Sequence, residues 1–309
     1  MNELVSVIMT VYNEKSEWIW DSIQSIMDQT YNNIEFIIIC DTTDIKVINT
    51  LKGIKRKYPT ILIEYNEFNM GLVKSLNKGI KIANGTYIAR MDADDISLPH
   101  RIEIELKYLK SLNCDLVFSE VNMMNEQGSI QETNTKRNIE SDKLTKIFKY
   151  GNVSKHPTWL GKTIVFQKLN GYRDIKYCED LEFILRAIQN NYLLFKIGVP
   201  LLNYRFRDNS ISRKNALEQY MIAEKLRKLY VKDLLTKFSE KELNNLNITK
   251  EQKDGFRKAN LLFLEGINIL KSEKNIIGLY KILKAFSENK VLRKRIIEIM
   301  KFKIVEKWS

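Results

Sequence analysis

Apolar residues recur along the first hundred positions in two alternating periods. Residues 4–9 form a short β-branched apolar run and predict a buried strand, closed by the polar loop Thr10 Val11 Tyr12 Asn13 Glu14. Residues 16–29 carry Ile19, Ile23, Ile26 and Met27 at helical spacing. Residues 34–40 are almost continuously apolar, as expected of a parallel strand buried on both faces. A helix with Ile45, Ile48, Leu51 and Ile54 stops before Pro59, and residues 61–65 predict a third strand. The next helix opens at Asn69 Met70 Gly71, carries Leu72, Leu76, Ile80 and Ala83 on one face, and stops at Asn84 Gly85. Residues 87–91 are the fourth strand. Strand and helix thus alternate three times, which predicts a doubly wound α/β sheet with ligands at the carboxyl ends of its strands. The loops 10–14, 41–44, 66–71 and 92–95 all fall on that rim.

Further on, residues 101–112 predict an amphipathic helix and 115–121 a strand, followed by a turn-rich polar stretch over 124–136. Residues 163–166 predict a strand. Gly171 Tyr172 Arg173 leads to Glu179 Asp180 and a helix with Leu181, Ile184, Leu185 and Ile188. Residues 192–197 and 201–206 predict two more strands, and 205–214 a basic polar loop with Ser210 and Ser212. From about Asn215 only helical periodicity remains. The chain therefore divides into an α/β domain over 1–214 and a helical segment over 215–309. Residues 255–286 read as one tetratricopeptide-like hairpin joined near 272–275, and one unit is not an array.

The fourth strand runs into Asp92, Asp94 and Asp95. Three acids in four positions at a strand end are costly unless something cationic sits there. With a bend at Ala93, Asp92 and Asp94 can turn their oxygens toward one point, as a hard divalent cation requires. A turn with Asp at a helix N-cap, and Pro99 in the first helical turn, is an equally good reading of this stretch alone.

The formal net charge is +12, which suits an anionic partner: nucleotide, nucleic acid or membrane surface. Residues 215–309 hold 21 of the 50 Lys and Arg but 12 of the 38 Asp and Glu, so most of the excess lies there. The cysteines Cys40, Cys114 and Cys178 are scattered without zinc or disulfide spacing and read as free thiols in a reducing compartment. The first residues lack the pattern of a signal peptide, and no apolar run is long enough to span a bilayer. The expected location is the cytoplasm, or the inner face of the plasma membrane. A specific nucleic-acid-binding role is the alternative from charge. It is disfavoured because no helix-turn-helix or RNA-binding motif appears and aromatics do not interleave with the Lys/Arg clusters.

Several motifs in order resemble inverting glycosyltransferases of family 2. Residues 5–14 resemble the family's opening strand and nucleotide loop. Asn69 Met70 Gly71 with Asn77 Lys78 Gly79 resembles its Asn-x-Gly helix, and 87–99 its Asp-x-Asp metal motif. His156 Pro157 Thr158, Gly171 Tyr172 Arg173 and Glu179 Asp180 resemble later landmarks. The resemblance covers roughly 4–213. It implies a GT-A fold, Rossmann-like with a mostly parallel sheet flanked by helices, followed here by an all-helical C-terminal segment. It further implies a nucleotide-sugar donor, UDP first, a glycan or lipid-linked saccharide acceptor, and Mn²⁺ or Mg²⁺. Two positions depart from the pattern. Cys40 Asp41 Thr42 Thr43 stands where Asp-Asp-Gly-Ser is usual, and Leu76 where an Arg is frequent. A catalytically inactive member of the fold is therefore a further alternative. The Gln-x-x-Arg-Trp motif of processive members is absent, which implies one sugar added per acceptor.

Residue by residue, the resemblance implies nucleotide contacts from Thr10, Tyr12, Asn13, Glu14, Asp41, Asn69, Lys74, Asn77, Arg90, Asp92 and Ala93. Metal contacts would come from Asp94, Asp92 and His156, with Asp95 capping the next helix. Asp180 takes the general-base position, with Glu179 the second candidate; acids at a helix N-terminus need no catalytic reason. Arg205 and Arg207 could close over donor phosphates, or lie in a solvated loop. Trp159 fits an acceptor-stacking role less well than a core position. The last helix, over 291–308, shows an apolar stripe at Leu292, Ile296, Ile299, Val305 and Trp308 among six Lys and Arg. That suits an anionic membrane surface or packing on the neighbouring hairpin. The second is favoured, because Ile297 and Ile304 widen the stripe.

Overall fold

The computed structural model describes residues 3–207, 214–273 and 276–308. Ser210 and Ser212, the rest of 208–213, and the join at 274–275 lie outside the described residues. Two units divide the chain: 1–145, 153–174 and 179–210 form one, and 146–152, 175–178 and 211–309 the other.

The first unit is built on one mixed sheet. Strands β1 (Val5–Val11), β2 (Ile34–Cys40), β3 (Leu62–Tyr65) and β4 (Tyr87–Asp92) are parallel in the order β3-β2-β1-β4. Helices α1 (Ser16–Met27), α2 (Ile45–Lys57) and α3 (Leu72–Ile82) connect them. β1 pairs Val11 with Cys40 and Thr10 with Asp92, so the ends of β1, β2 and β4 share one edge. The continuous apolar character of β1 and β2 has its reason here, since Val7, Met9, Phe36 and Ile38 are buried in one core.

The rest of the sheet is assembled from distant pieces. β5 (Ile96–Ser97) follows β4 at once, and α4 (Arg101–Ser111) leads to β6 (Leu116–Met124) and its short partner β7 (Ile130–Gln131). After α5 (Ser141–Ile147), β8 (Leu160–Lys162) fits antiparallel between β4 and β6. The strand expected over 163–166 is instead a helix, α6 (Thr163–Lys168). The β-branched run Thr163 Ile164 Val165 suggested a strand, but only 160–162 pair with the sheet. Thr163 donates its N–H to Thr86 O and its hydroxyl to Gly85 O, which turns the chain off the sheet. After α7 (Glu179–Gln189), the two strands expected over 192–206 are one, β9 (Leu194–Arg205). Pro200 interrupts its pattern, and register shifts against β6 around Glu120 absorb the irregularity.

Arg101 locks the corner beside the β4 end. Fully buried, it donates from Nε to Ser97 Oγ at 2.8 Å and from Nη1 to Pro157 O at 3.0 Å. β4, β5 and the turn His156–Thr158 are thereby held in one relation.

The second unit is helical: α8 (Ala216–Val231), α9 (Glu240–Asn244), α10 (Lys250–Glu273), α11 (Ile276–Glu288) and α12 (Lys290–Trp308). Its core gathers Leu217, Phe256, Ala259, Ala285, Leu292 and Ile296. The expected stripe of the last helix is thus divided: Leu292 and Ile296 are core residues, while Ile299 is exposed. No helix among the described residues is long and apolar enough to cross a membrane.

Candidate active site

At the end of β4 the chain bends through Ala93, which is buried. Ser22 Oγ on α1 donates to Asp92 O and fixes this end. The bend brings oxygens of Asp92, Asp94 and Asp95 within 4.8 Å of one another. Asp95 does not cap α4, whose N-cap position is His100 without a side-chain cap bond. Pairing of β5 with β9 draws it inward instead, and Arg205 N–H donates to its Oδ1 at 2.7 Å. Its other oxygen is buried and makes no hydrogen bond.

Burial and mutual repulsion dominate this group. Burial, then the charge of Asp92, pushes the Asp94 carboxyl up to about 7. Burial, then Asp94, lifts Asp95 well above the usual carboxylate range. Cations oppose this: the buried guanidinium of Arg90 against Asp92, Arg207, whose Nη2 lies 2.8 Å from Asp94 Oδ2, and Arg101 and Lys155 in the field of Asp95. An orphaned carboxylate oxygen beside two more acids fits a hard divalent cation such as Mg²⁺ or Mn²⁺. His156 is not part of this group. Its Nε2 shares a hydrogen bond of 2.8 Å with Tyr172 Oη, and burial, then Arg90, holds its pKa far below the usual imidazole value.

The candidate base lies at the N-terminus of α7. Burial, then the charge of Asp180, raises Glu179 to about 8, so near neutrality Glu179 keeps its proton. Asp180 accepts the N–H of Leu181 at 2.6 Å. Arg90 and Asp92 both act on Glu179, so the two carboxylate groups share one electrostatic field with Arg90 inside it.

Arg205 and Arg207 part company. Arg205 is buried and donates from Nε to Asp94 O at 2.7 Å, with Nη1 turned to Asn125 O. Arg207 is part exposed, and both guanidinium groups lie over the Trp18 ring, at 4.9 and 5.8 Å. Arg205 therefore builds the site wall, and Arg207 is the one that could leave for a phosphate.

Several nucleotide candidates have work inside the protein. Asp41 Oδ1 accepts from Asn66 Nδ2 at 2.8 Å and Met70 N–H at 2.7 Å, and Oδ2 from Gly71 N–H at 2.9 Å. It shapes the 66–71 loop. Asn69 Oδ1 also accepts from Gly71 N–H. Glu14 accepts Tyr12 N–H at 2.8 Å, closing the loop after β1; Tyr12 and Asn13 are exposed there, with Thr10 half-buried. Lys74 is exposed on α3. Asn77 bridges Tyr172 with its whole amide, accepting from the N–H and donating to the carbonyl, both at 2.8 Å. Trp159 is fully buried in an aromatic cluster with His156, Tyr172 and Phe183, a core position.

Gly171 shows why this relay needs its motif. Its φ is +67°, and a Cβ there would lie 2.3 Å from Asn77 Oδ1. Gly171→Ala is expected to cost roughly 2–4 kcal/mol, from a left-handed backbone plus a broken bridge. Gly128→Ala, at φ +89° with open space, should cost only about 1 kcal/mol. Urea denaturation of the two variants compares them; equal losses would remove the bridge from the argument.

Two residues, Lys155 and Trp18, were not singled out from sequence, and Tyr172 stood out only as part of a motif. Lys155 carries its ammonium 5.4 Å over the Tyr204 ring and within the field of Asp180 and Asp95. Tyr172 joins Asn77 to His156, and Trp18 supports both arginines. Adjacency to His156 was a signal for Lys155. Trp18 reads as an ordinary member of an amphipathic helix, so nothing local distinguishes it.

Comparison with known proteins agrees with this geometry. The sequence model of Glycosyl transferase family 2 matches residues 6–166. An uncharacterized glycosyltransferase of Methanocaldococcus jannaschii is 36% identical over 214 residues, 68% of this chain and 74% of its own. The O-antigen biosynthesis glycosyltransferase WbnJ of Escherichia coli is 32% identical over 241 residues, 76% of this chain and 92% of its own. Among solved structures, S. aureus TarS 1–349 in complex with UDP-GlcNAc superposes with a TM-score of 0.58 at 16% identity, covering 98% of this chain and 90% of that one. At that identity the likeness shows a shared fold.

Proposed function

Since the chain belongs to glycosyl transferase family 2, we propose that it moves a sugar from a UDP-sugar to a hydroxyl of a glycan or lipid-linked glycan, with inversion and with a divalent cation. The observation that carries this reading is the pairing of a cluster of three acids, one with a buried and unbonded carboxylate oxygen, with a second carboxylate pair in the same field. Inversion needs one base to take the acceptor proton as the hydroxyl attacks, and we assign that role to Asp180, in the first turn of α7 beside a Glu179 that keeps its proton near neutrality. Asp94 and Asp92, with Asp95 behind them, would hold Mn²⁺ or Mg²⁺, which supplies charge stabilisation for the departing diphosphate. Arg90 keeps Asp92 in place, and Arg207 is free to pair with a phosphate once Asp94 is otherwise engaged. A UDP donor is supported by the UDP-GlcNAc complex of TarS, and a glycan acceptor by the O-antigen role in the name of WbnJ. Such an acceptor suits a cytoplasmic enzyme working at the inner membrane face. No separate observation favours a nucleic-acid partner.

Thermal unfolding tests the donor. UDP with Mn²⁺ at about a hundred times Kd should stabilise the fold by about 2.7 kcal/mol, a rise of roughly 4–6 °C. GDP and dTDP should give less, and duplex DNA only a weak, salt-sensitive change. If no nucleoside diphosphate shifts the transition with Mn²⁺ present, the donor reading is wrong.

A further inference from the structure

The last helix buries one face and leaves the other with no partner among the described residues. Leu292 and Ile296 are 1% and 9% exposed, whereas Ile297, Met300 and Ile304 are 39%, 60% and 58% exposed. The exposed three follow the i, i+3, i+7 spacing of one helical stripe. Lys290 and Lys301 project from the same half-turn and are exposed, whereas Arg293 turns its guanidinium back to Phe286 O and Ser287 O. The acids of α12 lie off this face: Glu298 pairs with Arg227 at 3.0 Å and Glu306 with Lys303 at 2.9 Å. Lys294, at the margin, pairs with Glu224 at 2.5 Å.

We propose that this outward half of α12, on Ile297, Met300 and Ile304 with Lys290 and Lys301, docks on the anionic surface of a lipid bilayer. Charge selects the occupant. A second copy would set cations against cations with no acid on either face. A nucleic acid would meet the cations and leave three large apolar side chains in water. An anionic bilayer takes both: apolar side chains enter the boundary of headgroup and acyl chain, and cations stay among the phosphates. The stripe differs from the one most visible in the sequence, which faces the core at Leu292 and Ile296.

Vesicle flotation of the full chain tests this, with no donor present, so its outcome is separate from that of the transferase reading. The protein should float with phosphatidylcholine vesicles holding about 30 mol% phosphatidylglycerol and stay behind with phosphatidylcholine alone. Binding should drop at about 0.5 M salt. Ile297→Asp with Met300→Asp should lower the bound fraction about tenfold without moving Tm, because both positions are exposed. Lys290→Glu with Lys301→Glu should do the same for anionic vesicles. Leu283→Asp on α11, exposed but off this stripe, should leave binding unchanged. The proposal is overturned if the α12 variants float like the parent or if the parent ignores anionic vesicles. It is also overturned if sedimentation shows a dimer that Ile297→Asp with Met300→Asp dissolves, since the face then belongs to a second copy.

Discussion

Asp94→Asn is expected to lower sugar transfer about a thousandfold or more at saturating Mn²⁺ while leaving the fold intact. The substitution keeps volume nearly constant and removes the charge of a metal ligand at the diphosphate, where several kcal/mol of transition-state stabilisation arise. Stability should move the other way. In the metal-free protein Asp94 titrates near 7, well above its unfolded value, so the folded form holds a proton that the unfolded form has lost between about pH 4 and 7. Wild-type stability therefore falls as pH rises through that window, and Asn removes this slope. With EDTA present, the variant should melt at or above the wild-type temperature at pH 8 and lose that advantage at pH 5. Mn²⁺ should raise the wild-type Tm far more than the variant's. Near wild-type turnover would remove Asp94 from the metal site, and a collapse of Tm at every pH would make it a structural residue.

What the sequence made legible follows from where the determining contacts lie. β2 could be bounded to the residue, because a strand buried on both faces writes its whole environment into seven consecutive positions. The three acids stood out for a similar reason: their cost is local, whatever offsets it. Asp95 was misplaced because its environment is set by β9, and the Arg205 N–H that holds it is 110 positions away. The same distance hid the difference between Arg205 and Arg207, which two residues of spacing cannot express. Thr163 Ile164 Val165 favours a strand by propensity, and hydrogen bonds to Gly85 and Thr86 overrode that preference. In α12 the expected stripe was legible in Leu292 and Ile296, which join Leu217 and Phe256 in the core; that Ile299 falls outside this contact was not. Asn77 and Gly171 were visible as motif members, and only their contact shows that the motif maintains a backbone bridge.

Asp180→Asn is expected to reduce turnover by roughly a hundredfold or more, the usual scale of general-base catalysis, with donor affinity little changed. The assignment rests on the place of Asp180 in the first turn of α7, next to an acid that is protonated near neutrality. Glu179 is pushed up to about 8, first by burial and then by Asp180, so near neutrality it holds a proton and leaves the base role to its neighbour. Removing Asp180's charge also removes the repulsion that keeps Glu179 neutral. In the Asn variant Glu179 should therefore ionise at lower pH, and whatever activity survives should keep its pH dependence on that carboxylate. Glu179→Gln should be the milder change, because it replaces a group that is already uncharged at neutral pH. Turnover against pH, with UDP affinity measured beside it, separates the roles. A large loss of UDP binding in Asp180→Asn with modest loss of turnover would move Asp180 into donor binding. If Glu179→Gln is the more damaging substitution, the proton is taken by Glu179, and the role of Asp180 is to raise its neighbour's basicity.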